Sequence, residues 1–417
     1  MTTPIIGCIA DDYTGGTDVA AALRRGGLRT VLLFGPPDPQ LRLGDCDAVV
    51  IALKTRSLPA VQAVEMSLLA QHWLRERVTR QVYFKYCSTF DSTDDGNIGP
   101  VADALLDAQS AAVTVVCPAA PEHGRTVYQG HLFVHDRLLS ESSMRHHPLT
   151  PMTDPDLVRV LRRQTTHPVA LIPFPLVRQG PDAVADRLAE LACDGVRYVV
   201  VDAVDEADLN NIAAAARGLP LLTGSAGLAG AVGRIAAEHH STEPVDIVDT
   251  NGPTVLFAGS CSRATLGQVA LAREKFASYR LDPRTVADVG DLLPGSHAWL
   301  AAHLGDDPIL IYSSAPAEER GPADPQTAGA LEQLMGALAR AAVDAGARRL
   351  VIAGGETSGA VVDSLGITAV RVDAEMDRGV PWCTTLAPAD PLSLLLKSGN
   401  FGTPDLLVRA ASLGASR

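Results

Sequence analysis

The chain lacks the features that would tie it to a membrane, a metal or a nucleic acid. No apolar run approaches the ~20 residues that a bilayer-spanning helix needs. The apolar stretch at 5–10 has no basic residue before it and runs straight into Asp11 and Asp12, which is the pattern of a strand and not of a signal peptide, so a cytoplasmic location is expected. The seven cysteines (Cys8, Cys46, Cys87, Cys117, Cys193, Cys261 and Cys383) are scattered, without the close pairs of a zinc ribbon or a dithiol centre. Reduced, mostly buried thiols follow from that. Glu122, His123, His131 and His135 in the stretch APEHGRTVYQGHLFVHD match no compact ligand set, so no protein-built metal site is expected. Positive charge is short: 35 Lys+Arg against 48 Asp+Glu leave a formal charge of −13, a field that repels nucleic acid and anionic membranes. An anionic ligand would have to be held by a few local cations. Two common nucleotide signatures are missing as well, the G-x-x-x-x-G-K-[ST] phosphate loop and a G-x-G-x-x-G after a strand, which counts against a P-loop enzyme and a dinucleotide fold.

What is present is a core and a rhythm. Hydrophobic residues make up 47% and charged residues 20%, without low-complexity tracts, as in soluble globular proteins. A chain of 417 residues exceeds what one core organises, so two domains are expected. Apolar runs of β type recur at 5–10, 30–34, 48–53, 82–86, 112–117, 168–172 and 197–201, separated by loops or helical patterns. Their near-continuous Val, Ile and Leu content fits parallel strands covered on both faces. After the polar, proline-bounded stretch STEPVDIVDTNGP at 241–253 the rhythm resumes at 254–259, 308–313, 348–355 and 367–373, with a long helix from about 325 to 345. The expected fold is α/β in two domains, each a mainly parallel sheet flanked by helices, with the active site in the interdomain cleft. The bounds are 1–240, a linker at 241–253, and 254–417. Such sheets bind ligands at the carboxyl ends of their strands, so the loops leaving the strands carry the candidates.

In the first half, IADDYTGGTD places Asp11 and Asp12 at a strand exit ahead of a helix. They suit a base or a cation-handling acid, and with Thr14 they equally suit a turn and helix N-cap. IALKTRSLP repeats the placement with Lys54, Thr55, Arg56 and Ser57, and an arginine can grip a carboxylate with two parallel bonds. Most unusual is KYCSTFDST, in which Lys85 lies inside an apolar strand and is followed by Tyr86, Cys87, Ser88 and Thr89. A buried lysine needs a partner, and a polyol acid needs one cation and several short donors and acceptors. Ser92 to Asp95 and the Gly96-Asn97 pair read as the cap and turn before a helix starting near Ile98. Arg125, beside Gly124, is a further candidate for anion contact.

In the second half, AGSCSRAT ends a strand with Ser260 and Ser262 and opens a helix, and AGGETSG does so with Gly354, Gly355, Glu356 and Thr357. Amides at a helix N-terminus and the positive end of its dipole hold phosphate without any lysine, so a lysine-free cradle is expected. KSGNFG adds a third glycine turn at Gly399.

Taken in order, IADDYTGGTD, ALKTRS, FKYCSTFDSTDDGNIGPV, GSAGLAG, AGSCSRAT, AGGETSGAVV and KSGNFG resemble the four-carbon acid sugar kinase family over essentially the whole chain. The segment beginning KYCSTFDST resembles the 3-oxo-tetronate 4-kinase branch more than the threonate or erythronate kinases, whose segment is KxDSTLRGN-like. The resemblance implies an N-terminal domain in which Asp11 or Asp12, Arg56 and residues 85–89 meet the acid. It also implies a C-terminal domain in which Ser260, Gly354, Gly355, Glu356, Thr357 and Gly399 contact ATP. The implied reaction moves the γ-phosphoryl group of ATP to the C4 hydroxyl. Asp12 orients or deprotonates that hydroxyl, Asp11 is able to exchange roles with it, and Mg2+ sits on the phosphates with mainly water ligands. A homodimer is a further implication. Three rivals stand beside this reading: a kinase for a reduced four-carbon acid, a nicotinamide-dependent hydroxy-acid dehydrogenase, and a non-catalytic sensor of sugar acids.

Overall fold

A computed structural model describes residues 4–77, 81–147, 150–238, 250–285, 288–320, 324–386 and 390–412. The chain forms two compact units, Met1–Pro244 and Val245–Arg417. Most of the expected linker, residues 241–249, lies outside the described residues.

The first unit alternates strand and helix from its start: β1 (Ile6–Ala10), α1 (Tyr13–Arg25), β2 (Thr30–Phe34), β3 (Ala48–Ala52), α2 (Ala60–Arg75), β4 (Gln81–Lys85), α3 (Ile98–Ala108) and β5 (Thr114–Cys117). These five strands are buried along their whole length, which is why they read as unbroken apolar runs. A small antiparallel sheet follows, β6 (Arg125–Tyr128), β7 (His131–Val134) and β8 (Arg137–Leu138). Two tight reversals build it. Gln129 and Gly130 both adopt positive φ (49° and 73°), as a two-residue hairpin turn requires, and His135 (φ 56°) opens the second turn. Then come α4 (Leu157–Arg162), β9 (Val169–Ile172), α5 (Phe174–Val177), α6 (Pro181–Cys193), β10 (Tyr198–Val201), α7 (Glu206–Ala215), β11 (Leu221–Gly224) and α8 (Ala226–Ala237).

The main sheet of this unit runs β2-β3-β1-β4-β11-β5-β10-β9, with every pairing parallel. Its order fixes where a ligand goes. From β1 the chain leaves toward β2 and β3, whereas from β4 it leaves toward β5, so the connections part at the carboxyl ends of β1 and β4. In open parallel sheets that switch point forms the binding crevice.

The second unit contains β12 (Thr254–Ala258), α9 (Arg263–Arg273), β13 (Ala277–Arg280), α10 (Leu292–His303), β14 (Ile309–Tyr312), α11 (Pro325–Asp344), β15 (Arg349–Ala353), α12 (Gly355–Leu365), β16 (Ala369–Asp377), β17 (Val380–Thr385), β18 (Ser393–Lys397) and α13 (Leu406–Ser412). Strands β13-β14-β12-β15-β18 are parallel, and β17 runs antiparallel between β18 and β16. Here the connections part at β12 and β15, and β18 lies next to β15. Leu256, Val351, Leu395 and Trp382 join α9 and α13 in one core beneath those strand ends. Among the described residues no helix is long and apolar enough to cross a membrane.

Candidate active site

The switch point of the first unit gathers four charges. Asp11 follows β1 directly, and its backbone is tied to both neighbours: its N–H donates to Lys85 O, and its carbonyl accepts from Thr55 and Arg56. Asp12 is the N-cap of α1, accepting from the Gly15 amide at 3.0 Å and the Thr14 hydroxyl at 2.8 Å. The capping role and the site role therefore belong to one residue. Arg56 bridges both acids, with Nε and Nη2 on Asp11 at 2.9 and 2.7 Å and Nη2 on Asp12 Oδ1 at 2.6 Å. Asn97 fixes the Arg56 loop. Its Nδ2 donates to the carbonyls of Thr55, Arg56 and Leu58 at 2.7, 3.3 and 2.8 Å, so the residue expected to make a turn before α3 works as a clamp, and it makes no side-chain cap bond.

Lys85, the last residue of β4, is only 2% exposed, and among the described residues its ammonium has no hydrogen bond or ion pair. Its charge is nevertheless felt by Asp11 and Asp12. Residue 15 has to be glycine beside it: a Cβ there would lie 2.1 Å from Asp12 Oδ1 and 3.0 Å from Lys85 Nζ. The two carboxylates differ in character. Burial raises the pKa of Asp11, opposed only in part by Arg56. Burial acts on Asp12 too, but the Arg56 and Lys85 charges, the Thr14 hydroxyl and the Gly15 amide outweigh it and hold Asp12 below the ordinary range. The Asp12 side chain also keeps 27% of its surface, against 9% for Asp11.

The other sequence candidates in this unit separate into two groups. Ser88 is half-buried with no partner for its hydroxyl among the described residues. Cys87 Sγ lies 2.9 Å from Thr89 Oγ1, which donates to Asp91 at 2.7 Å, and burial pushes the Cys87 thiol up to about 12, so it is neutral. Tyr86 goes elsewhere. It is fully enclosed, its hydroxyl 3.0 Å from Thr223 Oγ1 and its ring edge-on to Phe84 and Phe90, and no surface is left for a ligand. Lys54, two residues beyond the end of β3, is exposed with Nζ 4.6 Å from the centre of the Tyr13 ring. Arg125 begins β6 and donates to the carbonyl of His123.

In the second unit three strand exits converge. After β12, Ser262 caps α9 by accepting from Thr265 N at 3.2 Å, and its own N–H donates to Ser260 Oγ at 3.2 Å. After β15, Gly354 (φ 133°) leads into α12, whose first turn no side chain caps, so the amides of Gly355, Glu356 and Thr357 lack an acceptor among the described residues. After β18 the turn 398–402 lies against Ser260: a Cβ on Gly399 would sit 2.3 Å from Ser260 Oγ. A lysine stands behind these turns and not on their surface. Lys397, fully buried at the end of β18, donates to Thr265 Oγ1 and to the carbonyls of Ser398 and Gly399. Among the described residues no group of three or more His, Cys, Asp or Glu could hold a metal ion.

Two α/β units, one with carboxylates and cations at its strand ends and the other with uncapped amides and glycine turns, define a two-domain protein with a candidate site on each unit. Residues 6–232 match the family described as Sugar-binding N-terminal domain, and residues 255–407 match Nucleotide-binding C-terminal domain. A 3-oxo-tetronate kinase of Cupriavidus necator is 48% identical over 419 residues, covering 98% of this chain and 96% of that protein. A 3-oxo-tetronate kinase of Burkholderia multivorans is 46% identical over 416 residues, with the same coverage. A crystal structure from Salmonella typhimurium LT2, described as that of a candidate tRNA synthase, superposes with a TM-score of 0.88 at 40% identity, covering 97% of this chain and 98% of that one. The chain belongs to the four-carbon acid sugar kinase family, in the branch of the 3-oxo-tetronate kinases.

Proposed function

We propose that the protein is an ATP-dependent kinase that phosphorylates the C4 hydroxyl of a 3-oxo-tetronate, with the acid on the first unit and the nucleotide on the second. The observation that carries the reading is Lys85: a buried ammonium without a hydrogen-bond partner among the described residues, at a sheet switch point, beside two carboxylates. Burying an ammonium with no hydrogen-bond acceptor is costly, and an anionic ligand supplies the acceptor. Arg56 is already engaged by Asp11 and Asp12, which leaves Lys85 as the cation for the substrate carboxylate or its oxo group. Ser88 offers the nearby open hydroxyl.

Asp12 takes the catalytic role in this reading. It is held ionised and retains surface, so it can accept a hydrogen bond from the attacking hydroxyl and receive its proton, while Asp11 keeps Arg56 in place. Phosphoryl transfer asks little covalent chemistry of the protein, and positioning and charge neutralisation do most of the work. The uncapped amides of α12 and the 398–402 turn hold the phosphates. Mg2+ fits this site as an ion carried on the nucleotide with mostly water ligands, since that mode needs at most one or two carboxylates, and Glu356, exposed in the first turn of α12, is the one at hand. When bound it neutralises phosphate charge. A function on tRNA finds no support in a chain with a formal charge of −13.

The test is ADP release from ATP and Mg2+ across a panel of 3-oxo-tetronates, threonate and erythronate, with a nicotinamide control. Release confined to the oxo acids is expected. Equal turnover of the reduced acids, a nicotinamide absorbance change, or acid binding without turnover would each overturn the reading.

A further inference from the structure

In the second unit three donors meet on one carbonyl oxygen. Gly399 O accepts from Ser262 Oγ at 2.5 Å, from Thr265 Oγ1 at 2.8 Å and from Lys397 Nζ at 2.8 Å. The same ammonium donates to Ser398 O and to Thr265 Oγ1, both at 2.9 Å. All three of its protons are thereby used, and with 0% exposure it has no surface to offer a ligand. Bringing a lysine fully out of water only to bind its own turn is costly, so the benefit has to lie in what the turn then presents.

Planar trans peptides supply the answer. In such a unit the N–H points opposite to the C=O, so a carbonyl drawn inward turns the next residue's amide outward. The drawn-in Ser398 and Gly399 carbonyls fix the amides of Gly399 and Asn400, neither of which has an acceptor among the described residues. Consecutive outward amides form an anion-binding nest. We infer that Lys397 is a positioning residue for the nucleotide phosphates, pinning the Ser398 and Gly399 carbonyls so that the Gly399 and Asn400 amides face the phosphate oxygens. The inference rests on the second unit being the nucleotide site. A polyanion on that nest also favours the charged form of the lysine, whose pKa burial alone lowers to about 7. Neither Arg263 on α9, Glu356 on α12 nor Arg409 on α13 contributes to that shift, and Thr265 and the two carbonyls are neutral.

Titration calorimetry of the full chain with a non-hydrolysable ATP analogue and Mg2+ tests this. Lys397→Met should weaken analogue binding about 30-fold or more, the loss expected for charge-assisted bonds that orient a site. Affinity for 3-oxo-tetronate should stay within about 3-fold. Repeating the titration at pH 7.5 in two buffers of different ionisation enthalpy should show proton uptake by the wild type and none by Lys397→Met, a signature that a merely structural lysine would not give. Thr265→Val, which removes one acceptor of the ammonium and one donor to Gly399, should cause a smaller loss in the same direction, and it carries the test if Lys397→Met does not fold. Gly399→Val separates the two levels. If it leaves analogue affinity unchanged, the nucleotide does not use this turn and the functional reading fails. If it abolishes binding while Lys397→Met and Thr265→Val bind as the wild type does, the inference about Lys397 alone is overturned, as it is if the wild type takes up no proton.

Discussion

Replacing Lys85 by methionine keeps the length and bulk of the side chain and removes only the charge. Lys85 is 2% exposed and its ammonium has no hydrogen-bond partner among the described residues, so in the loaded site its hydrogen bonds go to the acid. Truncating one member of a buried charge pair at a binding site costs about 2–5 kcal/mol, which corresponds to a fall in kcat/KM for the acid of roughly 30- to 5,000-fold. Two further consequences distinguish this from general damage. Arg56 still holds Asp11 through two bonds and the cost of burying the ammonium is relieved, so stability in urea should be kept or raised. The Lys85 charge also lowers the pKa of both Asp11 and Asp12, so its loss raises both carboxylates, and the acidic limb of the kcat/KM profile should move to higher pH. Steady-state kinetics of ADP release with each substrate varied in turn reads all of this. A loss confined to ATP affinity, or a change in acid kcat/KM below about 3-fold, would refute the reasoning.

Asn97→Asp sets a carboxylate against the carbonyls of Thr55, Arg56 and Leu58, and should destabilise the chain in urea unfolding by about 1–3 kcal/mol and raise KM for the acid, while ATP affinity is kept. Gly354→Ala forces a φ of 133° on a side-chain-bearing residue, with its Cβ 3.0 Å from both Ser260 N and Thr357 Oγ1; a cost of about 1–3 kcal/mol and weaker nucleotide binding in calorimetry are expected, with acid affinity intact. Lys397 gives a pH signature of stability. The unfolded chain holds that proton to 10.5 and the folded one only to about 7, so between those values the unfolded state binds more protons and the fold gains stability as pH rises. Urea unfolding of wild type and Lys397→Met at pH 7 and pH 10 should therefore give a stability difference that moves in favour of the wild type at the higher pH.

The alternation of buried runs made the two parallel sheets readable, because strands covered on both faces have no polar face to confuse the pattern. The small sheet at 125–138 was missed: its strands have two to four residues and half-exposed side chains, and the signal lay in the turn, where Gln129-Gly130 stands between two β-type segments. Strands β17 and β18, buried throughout, follow β16 with no helix between them, so the alternation does not pick them out. The lysines show most clearly what a sequence withholds. Lys54, Lys85 and Lys397 all close apolar runs, yet Lys54 stands two residues beyond the end of its strand and is exposed, whereas Lys85 and Lys397 are the final residues of theirs and are buried. Whether such a lysine is a rim charge, a ligand group or a buried brace depends on what the neighbouring strands bring to its end, and that is a property of strand order. Tyr86, one residue past β4, packs into the core against Phe84 and Phe90, a placement that its neighbours in sequence do not show.

A crystal structure with the non-hydrolysable ATP analogue and a 3-oxo-tetronate tests the division of roles most directly. The account predicts phosphate oxygens within hydrogen-bond distance of the amides of residues 355–357 and 399–400, and the acid within hydrogen-bond distance of Lys85 Nζ. Phosphates bound at the carboxyl end of β1 and β4, with those amides unvisited, would contradict it.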